Sequence, residues 1–330
     1  MMYSPLIPVY RLRIKCPVCG YKDNCAVTQD RSRAYCRRVV SDRPGRDGGY
    51  THILSNDLPQ PAHTVKQRPR TVEVVANRDT RHTVYASLLR SLPLLPAHRD
   101  GLLRRGLSLS AIELFKSTPT EDEAERITAE IAREYNLAGV AGFYKDSGRW
   151  CMVKIPSGFF IPVMDRHGLI QALQIRKDYQ RDKDDPRYIW LSSKGRPYGA
   201  SPGTPAHVQN PERIHETGKA ILTEGALKAI IASEYLSLDE GGLIALSGVG
   251  CFRDNFGLAL KDAFPSLHSI AIALDRDWQD NPQVKTQLRR LVRLLKLSEF
   301  ESVTVRTWDN EKGIDDFLVA ESFNQIVEVA

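Results

Sequence analysis

Residues 219–232 read KAILTEGALKAIIA, residues 242–250 read GLIALSGVG, and residues 269–277 read SIAIALDRD. Each of these segments begins with a short, unbroken apolar run, and a helix-forming pattern follows the first run. Such runs are typical of parallel strands that are buried on both faces of a sheet. The sequence between residues 219 and 277 therefore predicts an α/β unit with a parallel sheet.

Carboxylates follow two of these apolar runs. Glu224 comes directly after the first run, and Asp275 and Asp277 come after the third. Ligands of parallel sheets bind outside the carboxyl ends of the strands, so we expect all three side chains at one edge. Gathered carboxylates repel one another unless a cation or shared protons relieve them, and Mg²⁺ prefers such oxygen ligands. The alternative is that these residues cap helices and bind no metal.

The succession Thr223-Glu224-Gly225, a glycine-rich turn and Leu274-Asp275-Arg276-Asp277 resembles the TOPRIM domain. That family includes bacterial-type DNA primases, topoisomerases, some nucleases and RecR-type recombination proteins. The resemblance implies a four-stranded, mainly parallel sheet flanked by helices, with Mg²⁺ or Mn²⁺ at the three carboxylates. Alone it implies a fold and a metal site, and the rest of the chain must indicate the reaction.

A late acidic pair extends this resemblance. The fourth predicted strand, residues 302–308, leads to KGIDDF at residues 312–317. This order is similar to the primase segment that adds a late acidic group to the metal cluster. The resemblance makes Asp315 and Asp316 candidate Mg²⁺ ligands, and the alternative is that they stabilise the N-terminus of a helix.

Four cysteines near the N-terminus are separated by two, five and ten residues: Cys16, Cys19, Cys25 and Cys36. Clustered cysteines in a cytosolic protein favour tetrahedral, structural Zn²⁺ over disulfides. Two alternatives are reduced cysteines without metal and a Cys₃His site that uses His52.

Arginine and tyrosine side chains surround the cysteines. They are Tyr21, Arg31, Arg33, Tyr35, Arg37 and Arg38. Such groups together form stacking and phosphate-binding surfaces for single strands. The pattern Cys-Pro-x-Cys-Gly…Cys-Arg-Arg-Val resembles the zinc ribbons of primase-like proteins from phages and other mobile elements, which makes Arg37 and Arg38 candidate nucleic-acid contacts. The alternative is a zinc knob that only packs on its neighbour.

The middle of the chain is similar to the bacterial primase polymerase core. Three segments carry this likeness: Arg-Gly-Leu-Ser at residues 105–108, two predicted strands at 159–170, and residues 186–199. In that family, basic residues of this mixed α/β subdomain face template and nucleotide phosphates. The candidate nucleic-acid or nucleotide contacts are Arg176, Arg187, Lys194 and Lys228. Each is also consistent with an ordinary surface charge.

Apolar residues at helical spacing predict further helices over residues 80–95, 121–135 and 284–296. The last is basic, which is consistent either with DNA contact or with solvation. The proline-rich residues 200–215 are predicted to be a linker. Four histidines have no ligand spacing and are predicted to be structural or exposed: His82, His98, His167 and His207.

Length and charge favour several domains and a polyanionic partner. The 330 residues are more than one typical domain. We predict a zinc ribbon at 1–50, a linker at 51–78, a helical and mixed α/β subdomain at 79–215 and a TOPRIM domain at 216–330. The last holds twelve Lys/Arg against eighteen Asp/Glu, whereas the rest of the chain is basic. No apolar run could span a membrane and no signal-peptide pattern opens the chain, so we expect a cytoplasmic protein without a membrane partner.

These features predict a DNA primase, or primase-like nucleotidyltransferase, of a phage, plasmid or integrative element. It would synthesise short primers from nucleoside triphosphates on a single-stranded DNA template, with Glu224, Asp275 and Asp277 as catalytic residues. Because no Walker motif occurs, we expect a separate helicase as a partner. The alternatives are a TOPRIM metal-dependent DNA nuclease and a non-catalytic single-stranded DNA or replication-origin binding protein.

Overall fold

The computed structural model describes residues 6–22, 25–45, 49–54, 74–182 and 185–328. Most of the predicted linker at 51–78, residues 55–73, lies outside these ranges. The chain divides into two compact units, which we call the cysteine unit (residues 1–69 with 277–291) and the large unit (residues 70–276 with 292–330). Within the described ranges, no helix combines the length and apolarity that a membrane crossing requires.

The cysteine unit is built on a four-stranded antiparallel sheet. Its strands, in the order β1-β2-β3-β4, are β1 (Leu6–Pro8), β2 (Ala26–Thr28), β3 (Arg33–Cys36) and β4 (Tyr50–Ile53). Its buried core consists of Val9, Val27 and Ala34 together with cysteine side chains. So few apolar groups cannot stabilise a small fold by burial alone, and domains of this size usually need a metal or disulfides.

The first part of the large unit is a mixed α/β layer. Its elements are α1 (Arg78–Arg90), α2 (Pro96–Arg104), β5 (Lys116–Ser117), α3 (Glu121–Glu134), β6 (Phe143–Asp146), β7 (Arg149–Met152), β8 (Gly158–Met164), β9 (Ile170–Lys177) and β10 (Tyr188–Trp190). Strands β10-β9-β8-β5 form an antiparallel sheet, and β6 and β7 form a separate hairpin. The helices predicted at 80–95 and 121–135 are confirmed, although α1 ends five residues early, at Arg90. Of the two strands predicted at 159–170, the first is confirmed as β8, whereas the second, β9, begins only at Ile170.

Local sequence explains where these helices begin. The side chain of Asn77 accepts a hydrogen bond from the backbone N–H of Thr80 and caps α1. Thr120 and Glu123 form a reciprocal capping box at the start of α3. The apolar faces of both helices pack into one core with β8 and β9, in which Tyr85 is buried and donates its hydroxyl to the carbonyl of Ala141 at 3.0 Å.

The second part of the large unit contains a five-stranded sheet in the order β11-β13-β12-β14-β15. The elements of this region are β11 (His207–Gln209), α4 (Pro211–Thr217), β12 (Lys219–Glu224), α5 (Ala226–Ser233), β13 (Gly242–Leu246), α6 (Phe256–Ala263), β14 (Ser269–Ile272), α7 (Pro282–Leu297, which begins in the cysteine unit), β15 (Ser302–Val305) and α8 (Ile314–Glu328). Strands β13, β12, β14 and β15 are parallel, as predicted. The helix predicted at 284–296 is confirmed as α7.

The prediction of four strands was wrong because a fifth strand lies in the segment predicted to be a linker. Residues 207–209 form β11, which pairs antiparallel with β13. Helix α4, at residues 211–217, also begins within this segment. The proline content of residues 200–215 indicates a loop, and the three residues of β11 are too few to show the alternating pattern of a strand.

His207 explains why β11 is held in place. Its ring is buried, its Nδ1 accepts a hydrogen bond from the backbone N–H of Met164 at 3.1 Å, and its Nε2 faces the side-chain oxygen of Gln209 at 3.1 Å. Burial lowers the pKa of His207 to about 4, against the opposing effect of the Gln209 hydrogen bond. The ring is therefore neutral at pH 7, and the histidine is structural as predicted.

This burial makes the stability of the large unit depend on pH. The unfolded chain takes up a proton at His207 near pH 6.5, whereas the folded chain does so only near pH 4, so stability is lost as the pH falls between these values. We expect His207→Gln to reduce the loss of unfolding free energy between pH 7 and pH 5, measured by denaturant titration. His167→Gln, at an exposed turn position, is the control and should keep the wild-type dependence. Equal pH dependence in His207→Gln and wild type would contradict this assignment.

Candidate functional site

The four N-terminal cysteines form one cluster. Their Sγ atoms all lie within 4.8 Å of one another. Gly20 follows the first pair with φ +76°, a backbone conformation that favours glycine, and its N–H donates to the carbonyl of Cys16 at 2.9 Å. The Cys₃His alternative is wrong, because the Nε2 of His52 pairs with the carbonyl of Val39 at 3.0 Å, and His52 is not among the clustered side chains.

The chemistry of this cluster fits Zn²⁺. Burial raises the pKa of the Cys25 and Cys36 thiols, so a cation is needed to hold them as thiolates at neutral pH. The backbone N–H groups of Arg38 and Val39 point at Cys36 Sγ from 3.4 and 3.3 Å, as in many thiolate metal sites. A bound Zn²⁺ would contribute on the order of 10 kcal/mol to folding, which the small apolar core cannot supply.

Two of the predicted Mg²⁺ ligands lie at the carboxyl edge of the five-stranded sheet. Glu224 is the last residue of β12, and the parallel register places Leu222 beside Ile272 near the end of β14, three residues before Asp275. Gly225 follows Glu224 with φ +87° and donates its N–H to the carbonyl of Leu246 at 2.8 Å. This sharp turn out of the strand requires the glycine of the Thr-Glu-Gly succession.

Three charged side chains converge around Gly313. The ammonium group of Lys228 contacts Oδ1 of Asp275, and Nη2 of Arg105 lies 3.0 Å from Oδ2 of Asp315. A methyl group on Gly313 would lie 2.8 Å from Asp275 Oδ1 and 3.4 Å from both Asp315 Oδ1 and Lys228 Nζ. The structure therefore brings Lys228, Asp275 and Asp315 together, and the glycine leaves the space between them.

The two residues of the late acidic pair have different surroundings. Asp315 is buried with 2% of its surface exposed, and its Oδ1 has no hydrogen-bond partner among the described residues. Asp316 is exposed, and desolvation and the charge of Asp315 raise its pKa, while Lys228 and Arg105 act in the opposite direction. Both aspartates lie in the first turn of α8, so the helix-capping alternative stays open.

Asp277 belongs to a different compact unit from Glu224 and Asp275. It lies in a short 3₁₀ turn at Arg276–Gln279, and its carbonyl accepts hydrogen bonds from Asp280 at 3.2 Å and Asn281 at 2.8 Å. It is grouped with the cysteine unit, whereas Glu224 and Asp275 are in the large unit. Its role as a ligand stays a prediction.

We call the group of Glu224, Asp275, Asp315 and Lys228 the acidic edge. Its carboxylate oxygens are the type of donor atom that a divalent cation binds. The Oδ1 of Asp315 is a buried carboxylate oxygen without a partner, and it lies near Gly313 together with Asp275. Oxygen donors of this kind are those that Mg²⁺ prefers. Among the described residues, however, the cysteine cluster is the one group of three or more such side chains whose ligand atoms are close enough to share an ion. At the acidic edge, cationic side chains of the protein itself contact the carboxylates.

Sequence reasoning missed two residues of this site. Arg105 was recognised only as part of the Arg-Gly-Leu-Ser step, yet it is the ion-pair partner of Asp315 from 210 residues away. Trp308 donates its ring N–H to the carbonyl of Leu274 at 2.9 Å and thereby fixes the residue before Asp275. A local pattern cannot show either contact, because both depend on the packing of distant segments.

The predicted nucleic-acid contacts occupy several places. Arg176 pairs with Tyr188 across β9 and β10 and lies 5.5 Å from the ring centre of Phe159. Arg187 and Lys194 are exposed, directly before β10 and after it, respectively. Lys228 belongs to the acidic edge. In the cysteine unit, Arg37 is exposed and Arg38 lies 4.2 Å from the ring centre of Tyr21.

Comparisons with known proteins find a family model and several solved structures. Residues 214–325 match a family described as a domain of unknown function, DUF3854. No curated protein matches the chain. The chain is similar in structure to the zinc-binding and RNA polymerase domains of the Aquifex aeolicus primase, with 15% identity and a TM-score of 0.56. That similarity covers 77% of this chain and 62% of the Aquifex structure, so the chain spans less than two thirds of it.

Two further structures show the same likeness. The DnaG primase catalytic domain bound to single-stranded DNA is 15% identical, with a TM-score of 0.52 and coverage of 77% of this chain and 79% of that one. The RNA polymerase domain of Mycobacterium tuberculosis DnaG is 12% identical, with a TM-score of 0.53 and coverage of 74% and 82%. At these identities the comparison shows a shared fold, which is that of primase cores.

The cysteine cluster predicts that folding of the cysteine unit requires metal. We expect the purified protein to contain about one equivalent of zinc, and we expect chelation to abolish amide-exchange protection in β1–β4, because the thiols form much of that core. Cys36→Ser should lower the zinc content, measured by atomic absorption. Cys251→Ser, an exposed cysteine outside the cluster, should not. Protection that survives complete chelation would refute a structural role for zinc.

The crowding of negative charge at α8 predicts that Asp316 lowers stability. Its raised pKa means that ionisation is disfavoured in the folded state, a cost that is present at pH 7 and vanishes as the pH falls below the unfolded pKa of 3.8. Asp316→Asn should raise the melting temperature at pH 7 by roughly 1–3 °C, since solvent screening keeps the gain below about 1 kcal/mol. The gain should shrink towards pH 4.5 in calorimetric scans. Asp262→Asn, exposed on α6, serves as the control; a similar gain there would argue against the charge cluster as the cause.

Proposed function

We propose that this chain is a DNA primase or primase-like nucleotidyltransferase that synthesises short primers on single-stranded DNA. The observation that carries the proposal is the convergence of Lys228, Asp275 and Asp315 around Gly313, at the carboxyl edge of a sheet within a primase-core fold. A strand-edge group of carboxylates and cations suits a reaction in which phosphates and a divalent metal meet. The TOPRIM resemblance of the Thr223-Glu224-Gly225 succession supports the same reading.

The carboxylates would hold the metal of this reaction. In the proposal the ligands are Glu224, Asp275, Asp277, Asp315 and Asp316. Bound Mg²⁺ or Mn²⁺ would neutralise the charge that develops on the attacking 3′-oxygen and on the pyrophosphate leaving group. Glu224 would also accept the proton of the attacking 3′-hydroxyl, for which a carboxylate beside the reacting group is suited.

The cations of the site would bind phosphate. Lys228, which contacts Asp275 in this structure, would turn towards the triphosphate of the incoming nucleotide once Asp275 binds metal. Arg105 would orient Asp315 through its 3.0 Å contact with Oδ2. Three basic residues of the mixed α/β layer would hold template or nucleotide phosphates: the partly buried Arg176 and the exposed Arg187 and Lys194.

The cysteine unit would contact the template. Arg37 is exposed, and Arg38 stacks on Tyr21, which is the type of surface that binds unpaired bases and their phosphates. The cysteine-arginine pattern of this unit resembles primase-like proteins of phages and other mobile elements. Nucleoside triphosphates as substrates, a separate helicase as a partner, a cytoplasmic location and replication of a mobile element belong to the same proposal.

The deciding experiment is primer synthesis by a Glu224→Gln variant. This substitution keeps the size of the side chain and removes its charge, so we expect synthesis on a single-stranded template with Mg²⁺ to fall by about 10²-fold or more. Template affinity, measured by fluorescence anisotropy, should be unchanged. Glu216→Gln, exposed on α4, is the matched control and should retain full activity.

The same assay separates the proposal from its alternatives. Labelled template that shortens without nucleotides would indicate a nuclease. Tight, salt-sensitive binding with no reaction under Mg²⁺ or Mn²⁺ would indicate a non-catalytic binding protein. Full primer synthesis by Glu224→Gln would remove the proposed role of the acidic edge.

A further inference from the structure

The β6–β7 hairpin and the loop after β10 carry aromatic and cationic side chains to which no role has been assigned above. We call this group the hairpin surface: Tyr144, Lys145, Arg149, Trp150, Arg196 and Tyr198. None of the three aromatic-cation contacts that follow involves the acidic edge. The group belongs entirely to the large unit.

One face of the hairpin presents a lysine between two rings. The strand register places Lys145 opposite Trp150. The Nζ of Lys145 lies 5.7 Å from the ring centre of Trp150 and 5.6 Å from that of Tyr198. The rings of Trp150 and Tyr198 meet edge to face, with centres 6.1 Å apart. Both rings are therefore oriented by contacts with each other and with a cation.

The other face presents an arginine over a ring. Tyr144 is next to Lys145 in β6, so its side chain points to the opposite face of the hairpin. The guanidinium carbon of Arg196 lies 5.1 Å from the ring centre of Tyr144. The short segment Arg196-Pro197-Tyr198 thus contributes its arginine to one face and its tyrosine to the other.

The backbone of this segment is fixed by hydrogen bonds, whereas its tyrosine ring faces solvent. Lys145 donates its N–H to the carbonyl of Pro197, and Gly139 donates to the carbonyl of Tyr198, both at 2.9 Å. Tyr198 has φ +56°, an uncommon conformation for an aromatic residue, and 63% of its surface is exposed. Core packing explains neither the exposed ring nor the cost of this conformation, and both features are typical of a binding surface.

The hairpin surface also carries an excess of positive charge. None of Lys145, Arg149 and Arg196 forms an ion pair with a carboxylate in the part of the chain that the structure describes. Asp146 is the acidic residue of the hairpin, and its Oδ1 faces the hydroxyl of Ser147 at 3.4 Å. Cations without carboxylate partners are available for an anionic ligand.

We propose that the hairpin surface binds single-stranded nucleic acid by stacking an unpaired base on the exposed ring of Tyr198, which the partly buried Trp150 supports edge to face, while Arg149 and Arg196 contact the backbone phosphates. Every base has a π-face, so aromatic platforms flanked by cations bind single strands with little sequence preference. A duplex keeps its bases stacked inside, and it offers phosphates but no free base faces to these rings. The exposed ring of Tyr198 therefore favours a single strand over a duplex.

This inference deepens the proposed function, since it rests on that function for the identity of the strand as template. The ability of the surface to bind a single strand does not depend on catalysis. It assigns a second place on the large unit where the strand is held, in addition to Arg176, Arg187 and Lys194.

The test measures binding of the full-length protein to a labelled oligothymidylate by fluorescence anisotropy. Tyr198→Ala should weaken binding by about 5- to 100-fold, the range for loss of one stacked base. Tyr198→Phe keeps the ring and should retain wild-type affinity. Arg196→Ala should lower the slope of log affinity against log salt by about 0.7, the value for one phosphate of a single strand. Leu258→Ala and Arg126→Ala, at exposed positions on α6 and α3, are the controls and should bind as wild type.

Tryptophan fluorescence supplies an independent readout. A base stacked on Tyr198 lies beside Trp150, the edge-to-face partner of that ring, and quenches its emission, so Trp150→Phe should remove much of the quenching that oligothymidylate causes in the wild type. This conservative variant keeps an apolar ring in the hairpin, and circular dichroism checks that both it and Tyr198→Ala are folded. Unchanged quenching in Trp150→Phe with unchanged affinity in Tyr198→Ala would overturn the proposal. So would equal affinity for a duplex of the same sequence.

These outcomes are separable from those of primer synthesis. An inactive protein whose single-strand affinity depends on Tyr198 would refute the proposed reaction and support the hairpin surface. An active protein whose affinity is unaffected by Tyr198→Ala and Arg196→Ala would support the reaction and refute the surface.

Discussion

Parallel pairing of β12 with both β13 and β14 is the constraint on which the candidate site depends. Their apolar runs are buried on both faces. The pairing of Leu222 with Ile272 determines where β12 and β14 end relative to each other. Glu224 and Asp275 therefore reach the same edge as a consequence of hydrophobic burial. A slip of one residue in either strand would move its side chains to the opposite face of the sheet and shift Glu224 relative to Asp275.

The acidic edge shows how the protein balances charges that it must keep together. Lys228 contacts Asp275 and Arg105 contacts Asp315, so cationic side chains offset part of the repulsion between the carboxylates. One oxygen of Asp315 still has no described partner, and the pKa of Asp316 is raised. An arrangement that costs stability in this way is common where a site serves chemistry.

Much of this architecture follows from local sequence, and the exceptions have physical reasons. Strands β12, β13 and β14 were predictable because each contains an unbroken apolar run, and the cysteine cluster was predictable because its spacing is short. Strand β11 was not, since three residues in a proline-rich segment carry no period. The Arg105–Asp315 and Lys228–Asp275 contacts join segments far apart in the chain. They depend on tertiary packing, which no pattern in a single sequence records.

The requirement for glycine at position 313 also bears on related proteins. The position tolerates no side chain without displacing Asp275, even though its backbone conformation is open to other residues. A related chain with a bulkier residue there must have rearranged its carboxylates. The presence of glycine at this position therefore distinguishes relatives that retain the same charged pocket from relatives that have lost the pocket.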